Sequence, residues 1–280
     1  MEAGLAHGAA GTLFIVSTPI GNMGDFSFRA VETLRAASAV LAEDTRHTKH
    51  LLDRYEIATP LIAYHEHNEA KTTPALVARL LAGESLALVS DAGTPLVSDP
   101  GARLVRAAVD AGVVISPVPG ASALLAALVA SGLAIERFTF YGFLPRKGGE
   151  RRVALEEVAS MRHAVVLYEA ANRVADTLAE LAGAGAAERP TVVARELTKQ
   201  FEELRRGTVA ELAAYYDGTP PRGEVVIVIA GVIPAAVSED ELRARAVALR
   251  ATGRSARDVA AALSAELGAP RNLAYRLAHE

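Results

Sequence analysis

Four loops rich in glycine, proline and carboxylates each follow a short apolar run. They read Ser17-Thr18-Pro19-Ile20-Gly21-Asn22, Glu43-Asp44-Thr45-Arg46, Ser90-Asp91-Ala92-Gly93-Thr94-Pro95 with Ser98-Asp99-Pro100-Gly101, and Pro117-Val118-Pro119-Gly120-Ala121-Ser122. Glycine lets backbone approach a ligand closely, and a loop aspartate accepts hydrogen bonds from a hydroxyl or an amine. One such loop is an ordinary turn, because glycine and proline dominate turns. Four at one sheet edge point to a ligand site. Side chains there that can hold a proton or face a developing charge are Glu43, Asp44, Arg46, His67 and Lys199. Lys199 is one of only four lysines in a chain whose Lys and Arg total 29. A buried lysine can give up its proton and an arginine cannot; a solvated turn or a salt bridge to Glu202 is the simpler use of it. For Arg46 the alternatives are an ion pair with Asp44 or Glu43 and a phosphate contact.

Other chemistries lack support. No G-x-x-x-x-G-K-[ST] loop is present, and the G-x-G at Gly183 to Gly185 follows a helical stretch instead of a strand. No G-x-S-x-G elbow supports a serine triad. The absence of cysteine excludes disulfides, thiolate zinc sites and cysteine nucleophiles. In His65-Glu66-His67 the two histidines share a side only on a strand and no third ligand is nearby, so no metal is expected and the three read as polar site-lining residues.

The elements that must carry these loops alternate in period. Apolar runs at Leu13 to Ser17, Ala39 to Ala42, Leu61 to Tyr64, Ser85 to Ser90 and Val113 to Val118 read as strands. Between them lie helical stretches at 28–37, 45–53, from Thr73-Pro74 to Leu81, and at about 100–111, with Thr73 expected as N-cap and Pro74 at the first helical position. This alternation implies a mainly parallel sheet covered by helices. After Pro119-Gly120, strands at 138–143, 163–169, 191–195 and 224–230, with Phe201 to Arg206 as a hairpin partner, predict a second α/β domain with a mixed sheet. From Glu241 to Glu280 there are seven arginines against four acids, net 7 − 4 = +3, and no strand signal. Helices at 239–252, 256–267 and 270–278 there have a helix-turn-helix shape. The organisation expected is a mobile tail over 1–11, an α/β domain over 12–118, a second over 119–233, and a helical segment over 234–280.

The chain has 280 residues, 51% hydrophobic and 22% charged, with formal net charge −4. These values fit a folded globular protein and exclude nucleic-acid binding through bulk positive charge, leaving local basic patches. Two patches stand out: the arginines of 241–280 and the loop Arg146-Lys147 with Arg151-Arg152. No apolar stretch reaches the length of about 20 residues that a membrane span needs, and the first residues lack a signal-peptide pattern. A cytoplasmic protein without membrane contact is expected.

Taken in order, the strings STPIGNMGD (17–25), AEDTRHTKHLL (42–52), YHEHNE (64–69), SDAGTPLVSDPG (90–101), PVPGASALLAALVASGL (117–133), FYGFLPRK (140–147), RELTKQFEE (195–203) and RGEVVIVIAG (222–231) resemble the tetrapyrrole-methylase superfamily of S-adenosylmethionine-dependent enzymes. Within it they are most similar to the branch that methylates a cytidine 2′-hydroxyl in 16S rRNA. The resemblance implies two α/β domains with S-adenosylmethionine in the cleft between them. Pro19, Gly21, Asp91, Ala92, Gly93 and Thr94 are then expected to contact the cofactor from the first domain. Ala121 and Ser122 flank it from the linker, and Tyr168, Leu197, Glu224 and Val225 close the other side. Asp91 is expected to shape backbone or meet the methionine end and not to act as a base. The resemblance also implies a homodimer, the small ribosomal subunit as partner, and a C-terminal appendix that contacts RNA. Two departures lie in the second domain. Ala170-Ala171-Asn172 stands where the branch has Ser-Pro-His, and Phe201 where it has His. The competing functions are a methylase of the same superfamily acting on a tetrapyrrole or a protein side chain, and a non-catalytic RNA-binding assembly factor.

Overall fold

The structure, a computed structural model, describes residues 10–232 and 238–280. Of the expected tail, residues 1–9 lie outside the described residues, as does the expected junction at 233 and 234. Gly11 already belongs to the fold: it is buried, and its amide donates to Leu80 O at 2.8 Å.

Residues up to Gly231 form one compact unit and Val232–Glu280 a second. The first half of the larger unit runs β1 (Thr12–Val16), α1 (Phe28–Ala36), β2 (Ala39–Ala42), α2 (Thr45–Arg54), β3 (Leu61–Ala63), α3 (Glu69–Leu81), β4 (Leu86–Leu88), α4 (Ala102–Asp110) and β5 (Val114–Val118). The strands form one sheet in the order β3-β2-β4-β1-β5, and every pairing is parallel. Successive strand residues face opposite sides, so this sheet feeds two cores. Val16, Val40, Ala42 and Ala87 pack with Val31 and Leu34 of α1 and Leu51 and Leu52 of α2. Leu13, Ala39, Leu41, Leu86 and Leu88 pack with Leu76 and Leu80 of α3 and Leu104 of α4.

Helix α3 corrects one expectation. It starts at Glu69, and Pro74 lies inside it instead of at its first position. The side chain of Asn68 ties the preceding turn together, accepting from His65 N and donating to Ala63 O at 2.9 Å each. The Thr72 and Thr73 hydroxyls donate back to Asn68 O and Glu69 O. A helix already held at its start accommodates proline in its second turn.

The chain continues through α5 (Ala123–Ala130), β6 (Phe138–Phe143), α6 (Gly148–Ser160), β7 (Ala164–Ala170), α7 (Val174–Leu181), β8 (Pro190–Arg195), β9 (Glu203–Thr208), α8 (Val209–Tyr216) and β10 (Glu224–Ile229). The second sheet, ordered β6-β7-β10-β8-β9, is mixed: β6 and β7 are parallel and the other pairs antiparallel. One face, with Val165, Leu167, Val193 and Ile227, packs on α6, α7 and α8. The other, with Val166, Tyr168, Val226 and Val228, packs on Ala127 and Leu128 of α5 and takes in Ile20 from the loop after β1.

The smaller unit holds α9 (Glu239–Ala251), α10 (Ala256–Leu267) and α11 (Arg271–His279) around Leu242, Leu249, Val259, Leu263 and Leu277. Ser238 and Glu241 cap α9 reciprocally, Ser255 caps α10, and Gly268 ends α10 at φ +68°. The basic balance expected for this segment is partly internal. Arg243 pairs with Glu239, Asp240 and Glu280, Arg245 with Glu266, and Arg276 with Glu239. Among the described residues, Arg250, Arg254, Arg257 and Arg271 form no ion pair.

Candidate functional site

The loops after β1, β2, β4 and β5 meet at one edge of the first sheet and bond to one another. Thr18 and Gly93 exchange backbone hydrogen bonds at 2.8 and 3.1 Å. Ser17 Oγ lies 3.1 Å from Thr94 Oγ1, which donates to Ala121 O at 3.2 Å. Asp91 Oδ1 accepts from Asp44 N at 3.0 Å, so Asp91 shapes backbone. Gly93 adopts φ +75°, and a Cβ there would sit 3.3 Å from Ile20 Cγ2.

Over this network opens a cavity of about 480 Å³, walled by both sheets, a size suited to a small molecule. Among the residues expected to hold a cofactor, Asp91, Ala92, Gly93, Thr94 and Ser122 line it from the first-sheet side and Tyr168, Leu197, Glu224 and Val225 from the second. Pro19, Gly21 and Ala121 are not on its wall, although Ile20 is. Ala121 works from behind through its carbonyl. Gly21, at φ +150°, makes room for the Lys199 stem: a Cβ there would lie 2.4 Å from Lys199 Cγ.

Among the described residues, four of the five non-glycine residues with positive φ adjoin cavity-wall residues. Leu96 and Ser98, both at +71°, flank Val97, and Glu196 at +49° and Thr198 at +66° flank Leu197. Such outliers persist where surrounding structure over-determines them, and they concentrate at functional sites. Gly223 is needed beside them, since a Cβ there would meet Glu196 Oε1 at 1.9 Å.

The expected catalytic residues separate. Glu43 is on the cavity wall, where burial and the neighbouring Asp91 charge raise its pKa against the pull of His65. Asp44 caps α2, and its hydrogen bonds from Arg46 hold it well below the usual carboxylate range. Arg46 is spent on that pair, 2.9 Å from Asp44 Oδ2, and points to solvent. His67 is exposed and off the wall, and its ring stands 6.0 Å from that of His65. Strand β3 stops at Ala63, so the His65-Glu66-His67 alternation has no sheet to act on, and none of the three lines the cavity.

Lys199 pairs with Glu196 at 3.0 Å and Glu224 at 2.8 Å, not with Glu202, which accepts from Thr198 N. Burial lowers the Lys199 pKa, but the hydrogen bonds it donates to its two glutamates outweigh this and leave it raised. A proton-losing role is therefore corrected: Lys199 is a fixed cation that ties Glu224, a wall residue, to the strained 196–199 loop. The basic loop is corrected too. Arg151 is 6% exposed and bonds inward to Glu180, Pro145 O and Thr177. Arg152 pairs with Glu156, leaving Arg146 and Lys147 exposed.

The main wall residue missed in the sequence is Asp99. Burial and the Glu43 charge, then Asp91, push its pKa up to about 6 against a hydrogen bond from Ser90. Its signal was present in the Ser98-Asp99-Pro100-Gly101 loop, but nothing local marks that aspartate as half-buried beside two other carboxylates. Among the described residues no set of side chains is grouped to hold a metal ion.

The model of the tetrapyrrole (corrin/porphyrin) methylases matches residues 12–213. A Synechocystis protein named ribosomal RNA small subunit methyltransferase I is 45% identical over 273 residues, covering 96% of this chain and 98% of that one. A Xylella fastidiosa protein of the same name is 52% identical over 223 residues, covering 79% and 82%. Among solved structures, a conserved hypothetical protein from Aeropyrum pernix K1 superposes with TM-score 0.65 at 20% identity, covering 84% of this chain and 89% of that one. Uroporphyrin-III C-methyl transferase from Thermus thermophilus, complexed with S-adenyl homocysteine, gives 0.58 at 21% identity, covering 79% and 97%. At these identities the two structures speak for the fold.

Proposed function

We propose, from the premise that this chain belongs to the tetrapyrrole (corrin/porphyrin) methylase family, that it transfers a methyl group from S-adenosylmethionine to the ribose 2′-hydroxyl of a cytidine in 16S rRNA. The observation that carries this is the cavity walled by both sheets in a chain 45% identical, nearly end to end, to a protein named for small-subunit rRNA methylation. That coverage favours RNA over a tetrapyrrole or a protein side chain.

The wall suits the donor. Ile20, Val97, Leu197 and Val226 offer apolar surface, the 91–94 backbone and the Ser122 and Tyr168 hydroxyls offer hydrogen bonds, and Glu43, Asp91 and Asp99 offer negative charge to a cation. When bound, the donor supplies a methyl group on a sulfonium, so the protein mainly aligns and excludes water. Asp91, Ala92, Gly93 and Thr94 form a rigid floor because the other three loops brace them. Asp99 and Glu43, the wall carboxylates with raised pKa, are placed to hold the proton that the hydroxyl gives up. In this reading residues 12–118 and 119–233 act as two lobes around the donor, and 234–280 contacts RNA through its unpaired arginines. Leu125 and Val129, exposed one turn apart on α5, give a second copy of the chain an apolar face to cover. The cytoplasm is where this substrate is met; among the described residues no helix is long and apolar enough to cross a membrane.

Lys199→Ala is expected to lower turnover on the order of tenfold by releasing Glu224 and the 196–199 loop, while donor affinity changes little and Lys199→Arg recovers part of the rate. Unchanged turnover removes Lys199 from the mechanism. The proposed function itself is tested by mass mapping of nucleotides in 16S rRNA from cells with and without this protein. Loss of one 2′-O-methylcytidine, restored by re-expression, is the expected result; an unaltered map rejects it.

A further inference from the structure

Strand β6 is an edge strand, and its pairing with β7 slips by one residue. Phe140 lies opposite Val166, but Gly142 lies opposite Leu167 and Phe143 opposite Tyr168, so Tyr141 is the extra residue. A one-residue insertion reverses which face each later side chain takes. Without it Phe143 would stand on the far side of the sheet; with it Phe143 stands on the side of Tyr168, at the cavity. Gly142 makes this bend at φ +63°, against Ser98 Oγ of the loop opposite, where a Cβ would come within 2.9 Å. Phe143 thus reaches the cavity rim yet remains 57% exposed. Its ring meets that of Tyr168 edge-on, centroids 5.7 Å apart at 60°, so this contact does not cover both of its faces.

Three and four residues further on, Arg146 and Lys147 are exposed and, among the described residues, form no ion pair or side-chain hydrogen bond. Their neighbours Arg151 and Arg152 are both paired with glutamates. An uncovered aromatic at the mouth of a cavity, followed by two uncommitted cations, matches the chemistry of an unstacked nucleotide: a flat base beside phosphates.

We infer that Phe143 is the platform on which the target base stacks once it is turned out of the RNA, with Arg146 and Lys147 taking the flanking phosphates. This rests on the proposed RNA substrate and adds the subsite that receives it. A ribose hydroxyl inside a folded RNA cannot enter a cavity between two sheets without its nucleotide leaving the stack. A stacking surface at the rim offsets part of that cost and accepts either pyrimidine or purine, so it positions the nucleotide without selecting the base.

The test uses the full chain with purified small ribosomal subunits. Base–aromatic stacking is worth about 1–3 kcal/mol, so Phe143→Ala and Phe143→Leu are expected to lower kcat/KM roughly 5- to 150-fold. Phe143→Trp should retain most activity, and affinity for S-adenosylhomocysteine by calorimetry should stay within about twofold in all three. Arg146→Ala with Lys147→Ala should weaken subunit binding and reduce its log–log salt slope by about two. Wild-type activity on subunits matched by Phe143→Ala overturns this subsite alone; no activity of the wild type on any rRNA overturns the substrate reading beneath it. Loss of S-adenosylhomocysteine affinity in step with RNA activity also overturns the inference, making Phe143 part of the donor wall. An unchanged salt slope removes the two cations from it.

Discussion

Replacing Glu169 with alanine is expected to destabilise the chain by about 3 kcal/mol, as read by the denaturant midpoint. The Glu169 side chain is only 1% exposed, at the end of β7 and on the cavity wall. Its Oε1 accepts from Ala170 N at 2.9 Å and its Oε2 from Thr177 Oγ1 at 2.6 Å, with Arg173 at 3.7 Å. Thr177 in turn accepts from buried Arg151, which is also fixed by Glu180 and Pro145 O. Removing the carboxylate strands a hydroxyl and an amide in the interior and leaves Arg173 without its acidic partner. Buried groups left unpaired cost more than the pair itself contributes. Glu169→Gln keeps one acceptor and a donor that the Thr177 hydroxyl can receive, so it should cost nearer 1 kcal/mol. An alanine variant within about 0.5 kcal/mol of wild type would mean that water, not this network, satisfies the site.

S-adenosylmethionine affinity is expected to fall about fivefold from pH 6 to pH 5, with a smaller fall for S-adenosylhomocysteine. The folded chain holds Asp99 with its pKa pushed up to about 6 by burial and by Glu43. A cation in the cavity favours the ionised form, so below pH 6 its binding must expel a proton. The sulfonium is the charge that the donor carries and the product lacks, which makes the difference between the two titrations diagnostic. The groups facing Asp99 are Glu43 and Asp91 from the first sheet and Tyr168 from the second; His65 and Glu66 act on it only through Glu43. Asp99→Asn should flatten the profile. Because the folded-state pKa is raised, the stability this group contributes is present below about 3.8 and lost as pH rises through about 6. Asp99→Asn should therefore also be more stable than wild type at pH 8, by about 1 kcal/mol once partial exposure is allowed for. Parallel profiles for donor and product would detach Asp99 from the sulfonium.

Much of this was legible in the chain itself, for identifiable reasons. The first sheet announces itself because parallel strands buried on both faces must be apolar throughout, as Ala39-Val40-Leu41-Ala42 are. The four loops could be grouped because the carboxyl ends of parallel strands share an edge. What escaped depends on distant partners. Nothing near Lys199 reveals that Glu224, 25 residues on, will take its ammonium. Nothing near Arg151 reveals that Thr177 and Glu180 will bury it, and a run of basic residues reads the same whether it faces solvent or the core. Phe143 was hidden by a slip of one residue, which reverses the face of a strand without changing its composition. The sequence starts helix α3 one turn late because Thr73-Pro74 is a good start signal, while the Asn68 turn that pre-empts it is held by bonds to His65 and Ala63.

The cavity's role is reached most directly by calorimetric titration of the chain with S-adenosylhomocysteine, beside a variant, Ala92→Trp, that fills the space from a wall position. One molecule bound per wild-type chain, and none to a variant whose thermal midpoint is unchanged, is the result expected. Equal binding to both proteins, or none to the wild type, would place the donor elsewhere and remove the chemistry assigned to the sheet edge.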